Sequence, residues 1–308
     1  MVEVSTRLLG RSHYFQRTWM LYLMLLLPMA FFAIFRYIPM INIVIAFKDY
    51  NIFKGVWDSP WVGLKYFSET FNRDDFFLAL RNTLFLNFLD LLMGFPAPII
   101  LAILLNELSF KKYKKVTQTV VYLPHFLSWI IIAGIAKQLF APEGGVINIM
   151  LGKFGIDSIN FLMEKKLWIG TYIGMGVWKE MGWGTIIYLA AITGINPELY
   201  EAAEVDGAGR LRKIWHVTLP GIRSTIVILL IMNMGRILGS EFDRPYNMMN
   251  TKVMQVADVI STLVYRVGIR SSQFSLTAAI GLFQSVVCVI FLMAANAVAK
   301  KAGERGIW

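Results

Sequence analysis

Cysteine and charge are both scarce in this chain of 308 residues. Its one cysteine, Cys288, lies in an apolar run, so a disulfide framework and a cysteine-based zinc site within the chain are excluded. Charged residues make up 16% of the sequence and hydrophobic residues 56%, a balance typical of a polytopic membrane protein rather than a soluble domain. In such a protein the formal net charge of +10 indicates lysines and arginines at lipid head groups and cytoplasmic loops, and we expect no nucleic-acid partner.

Sequence signatures of catalysis are missing as well. The chain has no Gly-x-x-x-x-Gly-Lys-Ser/Thr phosphate-binding loop, no His-Glu-x-x-His metal motif and no Gly-x-Ser-x-Gly nucleophile motif. We therefore expect that the chain is not an enzyme and has no catalytic residue, no metal ligand and no cofactor of its own. Any ATP that drives its activity would have to be bound by a separate subunit.

Long apolar runs dominate what is present. Six of them approach the roughly 20 residues that cross the hydrocarbon core of a bilayer. They cover residues 19–46, 83–105, 116–140, 167–192, 219–239 and 274–297. The predicted fold class is all-α, a polytopic membrane protein with six transmembrane helices. The segments 48–81, 141–166 and 240–273 are predicted to be external loops, the first with one short helix after Asp74.

The N-terminus resembles a signal peptide in having Arg7, Arg11 and Arg17 before its first apolar run. That run is too long for a signal peptide and no small-x-small cleavage site closes it, so we predict a retained first span. Lysines and arginines are denser in the short segments on the same side of the membrane as the N-terminus. The positive-inside rule then places both termini in the cytoplasm.

The segment 201–220, EAAEVDGAGRLRKIWHVTLP, is a polar island between two apolar runs. Before it, Asn196 is a good helix N-cap and Pro197 suits the first helical position. A short helix is predicted to follow, to break at Gly207 and to give way to a second short helix through Leu211. This helix–turn–helix would lie outside the bilayer, with alanines on one side that allow close approach of another protein surface.

The spacing of Glu201, Ala202 and Ala203 from Gly207 and from the sequence VTLP (217–220) resembles the EAA loop of ABC-importer membrane subunits. Other stretches, among them FKDYNIFKG, GFPAPIILAILLNEL, QTVVYLPHFLSW and WKEMGWGTIIYLAA, resemble the permeases that import complex oligosaccharides such as pectin, alginate or lipo-oligosaccharide. These are related to the maltose-type importers. The segment 240–250, SEFDRPYNMMN, departs from that subfamily because it is more polar.

The resemblance implies a type I ABC-importer permease fold in a bacterial inner membrane. It divides the chain into an N-terminal segment with the first span and an external loop (1–82), a permease core (83–298) and a cytoplasmic tail (299–308). Within the core, segment 196–220 would dock on a cytoplasmic ATPase through Glu201, Ala202, Ala203, Asp206, Gly207, Ala208 and Leu211. The implied partners are a second homologous permease, two ATPase subunits that bind ATP and Mg²⁺, an extracytoplasmic solute-binding protein, and an oligosaccharide substrate.

Ionisable residues inside spans are costly in a bilayer and mark candidate substrate contacts. Lys179 and Glu180 fall near the centre of the fourth predicted span, on different helix faces, with Trp178 and Trp183 close by. They are interpreted either as a polar, aromatic wall suited to sugars or as a structural ion pair with core tryptophans, and both interpretations remain open.

Asn233 and Arg236 lie one turn apart on the fifth predicted span, and Arg236 either faces the same cavity or reaches the outer interface. Four further polar residues are interpreted as contacts between helices, and three residues as the kink of the second span. The contact residues are Asn87, Asp90, His125 and Gln284, and the kink residues are Gly94, Pro96 and Pro98.

If Lys179 and Arg236 both face the cavity, their field favours an acidic oligosaccharide such as a uronate oligomer, whereas Glu180 acts in the opposite direction. Two other classes of protein compete with this interpretation. An ion-coupled secondary transporter would use Glu180, Asp90 and His125 as a relay. A membrane-embedded transferase would need a pair of catalytic carboxylates or histidines at an interface, and the interfacial loops offer no such pair.

Overall fold

The structure, a computed structural model, describes residues 18–239, 241–303 and 306–307. Arg7, Arg11 and Arg17 therefore lie outside the described residues, as do Ser240 and Arg305. The described part of the chain is helical and contains no β-strand, which confirms the predicted all-α class. It divides into two compact units, one of the described residues up to 69 with 273–282 and one of the described residues in 70–272 and 283–307.

The first unit contains helix α1, Thr18–Phe47, whose course includes a π-helical stretch at Ala33–Tyr37 and ends in the 3₁₀-helix Ile41–Phe47. Two short helices follow, α2 (Gly55–Asp58) and α3 (Lys65–Phe71). The Lys48 ammonium is buried and donates to the carbonyl oxygens of Val56 and Trp57 at 2.8 and 3.0 Å. Segment 48–81, predicted as a loop with one short helix, is therefore more ordered than the sequence indicated.

The second unit holds most of the helices. They are α4 (Asp74–Gly94), α5 (Pro96–Glu107), α6 (Lys111–Tyr122), α7 (Trp129–Leu139), α8 (Val146–Gly152), α9 (Lys165–Thr193), α10 (Pro197–Val205), α11 (Arg210–Lys213), α12 (Arg223–Met234), α13 (Asp243–Met248), α14 (Met254–Ala257) and α15 (Ile260–Val264). Helical turns continue α11 as far as Gly221. The final helix, α16 (Phe274–Lys301), runs through both units.

Three helices of the described chain are long and apolar enough to cross a membrane, and up to five segments qualify if each of two bent pairs is one span. The three are Thr18–Phe47, Asp74–Glu107 and Phe274–Lys301. The bent pairs are Lys111–Phe126 with Trp129–Leu139, at 105°, and Arg210–Gly221 with Arg223–Met234, at 59°. The third and fifth predicted spans are therefore broken rather than continuous, as prolines 124 and 220 in these segments favour.

The fourth predicted span coincides with α9, whose 29 residues are long enough to cross a bilayer. This helix is not among those that qualify by composition, because charged residues and glycines interrupt its apolar sequence. By length and composition up to five segments qualify, and α9 is a sixth helix that is long enough to span. The second span also begins at Asp74 instead of Thr83, so the predicted short helix after Asp74 is its first turns.

The segment 240–273, predicted to be an external loop, contains more helix than the sequence indicated. Its described residues form α13, α14 and α15, and Val253, Val259 and Leu263 are buried. The indole N–H of Trp168 on α9 donates to the carbonyl oxygen of Met248 at 2.9 Å and fixes the segment to that helix. The helices were not predicted because short apolar stretches separated by charges resemble a loop in hydropathy. In the structure these stretches bury their apolar side chains against α9.

Glycines allow other helices to approach α9 closely. A Cβ on Gly182 would overlap the backbone carbonyl of Val121 on α6, and one on Gly184 would lie 2.9 Å from the Pro98 ring on α5. Because small residues let helix backbones come together in membrane proteins, these two positions fix how α5 and α6 pack on α9.

We predict that Gly182→Ala lowers the unfolding midpoint of the detergent-purified protein, because the new methyl group must push α6 away from α9, at a cost of about 1–3 kcal/mol. Gly174→Ala on the same helix is the matched control, since its Cβ would meet no atom within 4 Å. That change should be neutral or slightly stabilising. Equal melting of the two variants would contradict the close α6–α9 contact.

Candidate functional site

The helix–turn–helix predicted at 196–220 is present, and its first helix begins where the sequence indicated. The Asn196 side chain accepts a hydrogen bond from the Glu198 N–H at 3.1 Å, and Pro197 occupies the first turn of α10. This arrangement satisfies one of the free N–H groups at the helix start. The predicted N-cap is confirmed.

The turn after α10 depends on Gly207, which has a φ of +73°. The N–H of Ala208 donates to the Ala203 carbonyl at 2.8 Å, and the N–H of Gly207 donates to the Glu204 carbonyl at 3.0 Å. These two bonds form a Schellman motif, in which glycine is favoured because a Cβ hinders a left-handed backbone. The predicted break at Gly207 is thereby confirmed and given a geometric cause.

An ion pair joins the two helices of this loop. The Lys213 ammonium lies 2.6 Å from a Glu204 carboxylate oxygen. The hydrogen bond from Lys213 and its positive charge lower the pKa of Glu204 below the ordinary value. Both side chains are partly exposed to solvent, so the pair contributes little to the stability of the fold and mainly orients α11 against α10.

The outer surface of the loop exposes apolar groups together with charged ones. Val205 is 88% exposed and Leu211 is 75% exposed, although both are aliphatic. Glu201, Ala202, Asp206 and Gly207 are also exposed, whereas Ala203 and Ala208 are half-buried. Exposed aliphatic side chains beside small residues are typical of a protein–protein contact. The docking role of these residues stays a prediction.

A cavity of about 430 Å³ lies within the second unit. Its wall combines apolar and aromatic side chains with a few polar and charged groups contributed by α4, α5, α7, α9, α12 and the segment that follows α12. The polar and aromatic residues are Asn87, Asp90, Phe95, Trp129, Tyr172, Glu180, Trp183, Tyr188, Asn233, Arg236, Glu241 and Arg244. Aromatic side chains with a small number of placed polar groups are the usual composition of a small-molecule site.

Arg244 and Asp90 form the strongest polar contact on this wall. The guanidinium makes two parallel bonds to the carboxylate, Nη1 to Oδ2 at 2.6 Å and Nη2 to Oδ1 at 3.0 Å. Nη2 also donates to the backbone carbonyl of Tyr172 at 2.8 Å, and the guanidinium carbon lies 3.8 Å from the centre of the Tyr172 ring. A Cβ on Gly176 would overlap this guanidinium, so α9 admits Arg244 only because residue 176 is glycine.

Trp129 also lies close to the Arg244 guanidinium. Its indole ring centre is 5.2 Å from the guanidinium carbon, and its N–H donates to the Glu241 carboxylate at 2.7 Å. Asn87 donates from α4 to the Ile237 carbonyl at 2.7 Å. The wall is therefore held together by contacts between helices, which is the role that the sequence predicted for Asn87 and Asp90.

Lys179 does not face the cavity. It is 7% exposed, and its ammonium donates to the backbone carbonyls of His125 and Leu127 at 2.6 and 3.0 Å. These carbonyls belong to the 105° break between α6 and α7, where the regular helix bonds are lost. Lys179 thus supplies hydrogen bonds to backbone carbonyls that have lost their helical partners. Its ammonium also lies 3.6 Å from the Glu180 carboxylate, although the two residues were predicted on different faces of the helix.

Glu180 and Trp183 do line the cavity, and His125 contacts both of them from outside the lining. The His125 Nδ1 is 3.0 Å from a Glu180 carboxylate oxygen, and its ring stacks on Trp183 with centres 4.6 Å apart and planes at 3°. His125 is thus the hydrogen-bonded bundle histidine that the sequence favoured. The arrangement leaves an indole at the cavity, where the ring face of a sugar can stack.

Of the six residues predicted for the substrate path, four line the cavity: Glu180, Trp183, Asn233 and Arg236. Trp178 and Lys179 are not among the lining residues. The Arg236 guanidinium forms no ion pair within the described ranges, although it belongs to the wall. Substrate contact by any of these residues stays a prediction.

Sequence reasoning missed Trp129, Tyr172, Glu241 and Arg244. The last two fell in the predicted external loop, which removed them from consideration. A signal was present, because a lone Asp90 inside an apolar run needs a buried cation, and 241–244 is a charged stretch directly after a span. No group of three or more His, Cys, Asp or Glu side chains in the described segments could hold a metal ion.

Comparison with protein families gives a match over residues 76–303 to the binding-protein-dependent transport system inner membrane components. The polygalacturonan/rhamnogalacturonan transport system permease protein YteP of Bacillus subtilis is 48% identical over 94% of this chain and 90% of its own length. The protein LplB of the same organism is 46% identical over 94% and 91%.

Two solved structures are also similar. One is a bacterial ABC transporter involved in the import of the acidic polysaccharide alginate, with a TM-score of 0.86 and 41% identity over 94% of this chain and 98% of that one. The other is a bacterial alginate ABC transporter in complex with an alginate pentasaccharide-bound periplasmic protein, with a TM-score of 0.87 and 40% identity over 96% and 99%.

We predict that Lys179→Met destabilises the protein, because it leaves the carbonyls of His125 and Leu127 without their donor, at about 1–3 kcal/mol for each. Lys166→Met is the matched control, since Lys166 is an exposed lysine on the same helix. It should change stability by no more than about 0.5 kcal/mol. Thermal or denaturant unfolding in detergent compares the two, and equal stability would contradict the role assigned to Lys179.

Proposed function

Because this chain belongs to the family of binding-protein-dependent transport system inner membrane components, we propose that it forms half of the path of an ATP-driven oligosaccharide importer. The substrate proposed is an acidic, uronate-containing oligosaccharide. The chain itself performs no covalent chemistry in this proposal, and two cytoplasmic ATPase subunits bind ATP and Mg²⁺. A second, homologous permease completes the path, and an extracytoplasmic binding protein delivers the sugar.

The observation that carries the coupling part of the proposal is the exposed helix–turn–helix of α10 and α11. Its two helices are held in one orientation by the Gly207 turn and the Glu204–Lys213 pair, and they expose Val205 and Leu211. A rigid, partly apolar projection suits a groove on a soluble partner, since helix-in-groove contacts use such exposed anchors. In the proposed orientation the loop and both termini lie in the cytoplasm.

The proposed mechanism is alternating access. Closure of the ATPase subunits on ATP would move α10 and α11, and this movement would pass along α11 and α12 to the cavity wall at Asn233 and Arg236. Asn233 lies on Arg223–Met234, the second helix of the bent pair that begins with Arg210–Gly221. Arg236 follows directly after that helix. The bend of 59° is a place where such a movement can alter the cavity.

The substrate part of the proposal rests on the cavity and on the relatives. An indole at Trp183 provides a stacking surface, and the polar groups of Asn233 and Arg236 can bond hydroxyl and carboxylate oxygens. Asp90 is compensated by Arg244 and Glu180 by Lys179, and a Glu180 carboxylate oxygen also lies 3.0 Å from the His125 Nδ1. Arg236 is thus a cation on the wall without a carboxylate partner in the described ranges. The names of the similar proteins, which mention polygalacturonan and alginate, point to the same class of sugar.

An ion-coupled secondary transporter of a small solute remains the alternative. Its relay would use His125 and Glu180, whose hydrogen bond of 3.0 Å is the contact that favours it. Family membership argues against it, because this family works with a binding protein. Uptake that needs no ATPase partner would identify the alternative.

We predict that Gly207→Pro leaves the protein in the membrane and reduces substrate-stimulated ATP hydrolysis of the purified complex to the unstimulated rate. Proline cannot adopt a φ of +73° and removes the N–H that bonds to Glu204. Glu201→Lys, which reverses an exposed charge on α10, should have the same effect. Gly209→Ala is the matched control, because its φ of −68° suits alanine and its Cβ would meet no atom within 4 Å. Normal stimulation in either of the first two variants would refute the coupling role.

We also predict that Arg236→Gln weakens the response to acidic oligosaccharides about five- to tenfold, as expected for loss of about 1 kcal/mol of Coulomb attraction in a water-filled cavity. Stimulated ATP hydrolysis is measured with the binding protein carrying an acidic or a size-matched neutral oligosaccharide. The response to the neutral sugar should not change, and Lys153→Gln, an exposed lysine outside the cavity, serves as control. An Arg236→Gln variant that responds to the acidic oligosaccharide as strongly as the wild type does would contradict this role of Arg236.

A further inference from the structure

Arg244 presents a carboxylate-binding arrangement at the cavity wall that the proposed function does not yet use. Two parallel N–H bonds to one carboxylate are the geometry by which arginine recognises carboxylates in general. In this structure the carboxylate belongs to Asp90, a residue of the protein itself, with bonds of 2.6 and 3.0 Å. Both residues line the cavity.

The guanidinium is held in place by groups other than Asp90. The Tyr172 carbonyl accepts from Nη2, the Tyr172 ring lies 3.8 Å away, and the Trp129 ring lies 5.2 Å away. Gly176 provides the space in which it lies. Removal of Asp90 from the pair would therefore leave Arg244 oriented for another carboxylate, which lowers the cost of binding one.

The two members of the pair differ in their access to the cavity. The Asp90 side chain is 27% exposed and the Arg244 side chain 10%. Asp90 is thus the outer member, which water can reach, and Arg244 is the inner member. The Arg244 Nε is buried without a hydrogen-bond partner in the part of the chain that the structure describes. Because Asp90 is the more accessible member of the pair, it is the one that an entering carboxylate can displace.

We propose that Asp90 holds the place of a substrate carboxylate, and that an acidic sugar entering the cavity displaces Asp90 from Arg244. One carboxylate replaces another of equal charge, so the exchange creates no unpaired charge on the guanidinium. Arg244 would then be a second carboxylate-binding residue beside Arg236, and Asp90 would be an internal competitor that discriminates against weakly bound solutes. This inference rests on the proposed import of acidic oligosaccharides.

The exchange also connects substrate binding to the helices. The Asp90–Arg244 pair joins α4 to α13, and Arg244 in turn contacts α9 through Tyr172. Release of Asp90 would free α4 from this contact while the substrate is bound. A ligand shifts a conformational equilibrium only through contacts that differ between its two states, and this exchange supplies such a difference.

The test uses the complete complex of both permeases and the ATPase subunits in liposomes, with its binding protein saturated by a uronate trisaccharide or by the methyl ester of the same trisaccharide. The ester has the size and ring structure of the acid but no carboxylate charge. ATP hydrolysis is titrated against each loaded binding protein for the wild type, Asp90→Asn and Arg244→Gln.

If Asp90 occupies Arg244 in nine of ten molecules or more, Asp90→Asn should lower the half-maximal concentration for the acid form about tenfold or more. The titration with the ester should be unchanged. Arg244→Gln should raise the value for the acid form toward that of the ester, with only the part of the preference that Arg236 supplies remaining. A merely structural pair would alter both titrations alike, so an unchanged ratio of acid to ester in both variants would overturn the inference.

Failure of the proposed function is visible in the wild type alone. Equal wild-type responses to acid and ester, or no response to either, would overturn import of acidic oligosaccharides and the inference with it. A wild-type preference for the acid that keeps the same size in both variants overturns only the inference. Asp90→Asn keeps the side-chain shape and an acceptor for Arg244, so it decides the question even where Arg244→Gln does not assemble.

Discussion

A polar group buried in a bilayer has no water to bond, so it must find its partner inside the protein. The second unit meets this requirement with side chains that bond to backbone at the places where helices break. The Lys179 ammonium donates to the carbonyls of His125 and Leu127 at the break between α6 and α7. The Asn87 side-chain amide donates to the Ile237 carbonyl just after α12. Gln284 donates to the neighbouring Leu238 carbonyl. One helix of each bent pair, α7 and α12, lines the cavity beside α4, α5 and α9, and these bonds satisfy carbonyl groups at the break between α6 and α7 and after the end of α12.

The same requirement determines which charges remain for a ligand. Asp90 is paired with Arg244, Glu180 contacts His125 and Lys179, and Glu241 accepts the indole N–H of Trp129. Most charged groups on the wall therefore serve the structure first. The wall is not simply a positive surface. In the proposed import of acidic sugars, selectivity would come from a few positions, Arg236 and, through the proposed exchange with Asp90, Arg244.

Sequence reasoning succeeded where the determining signals are local. Asn196, Pro197 and Gly207 each specify the backbone of their own turn, and for this reason the helix–turn–helix was predicted with its correct start and break. It also found Glu180, Trp183, Asn233 and Arg236, because polar residues in apolar runs are visible without a structure. It failed where partners are distant in sequence. Asp90 pairs with Arg244, and Lys179 bonds to backbone carbonyls at a helix break. Both contacts join segments that come together by packing against α9, and hydropathy does not encode that packing.

The central claim is that this chain moves oligosaccharides by a path that ATP hydrolysis on partner subunits opens. Uptake of a radiolabelled uronate oligosaccharide into liposomes containing the assembled complex tests it most directly, with binding protein outside and ATP inside. The account predicts uptake that requires both the ATPase subunits and ATP, and that persists when ionophores dissipate the proton and sodium gradients. Uptake by the permeases alone, following an imposed ion gradient without ATP, would contradict it.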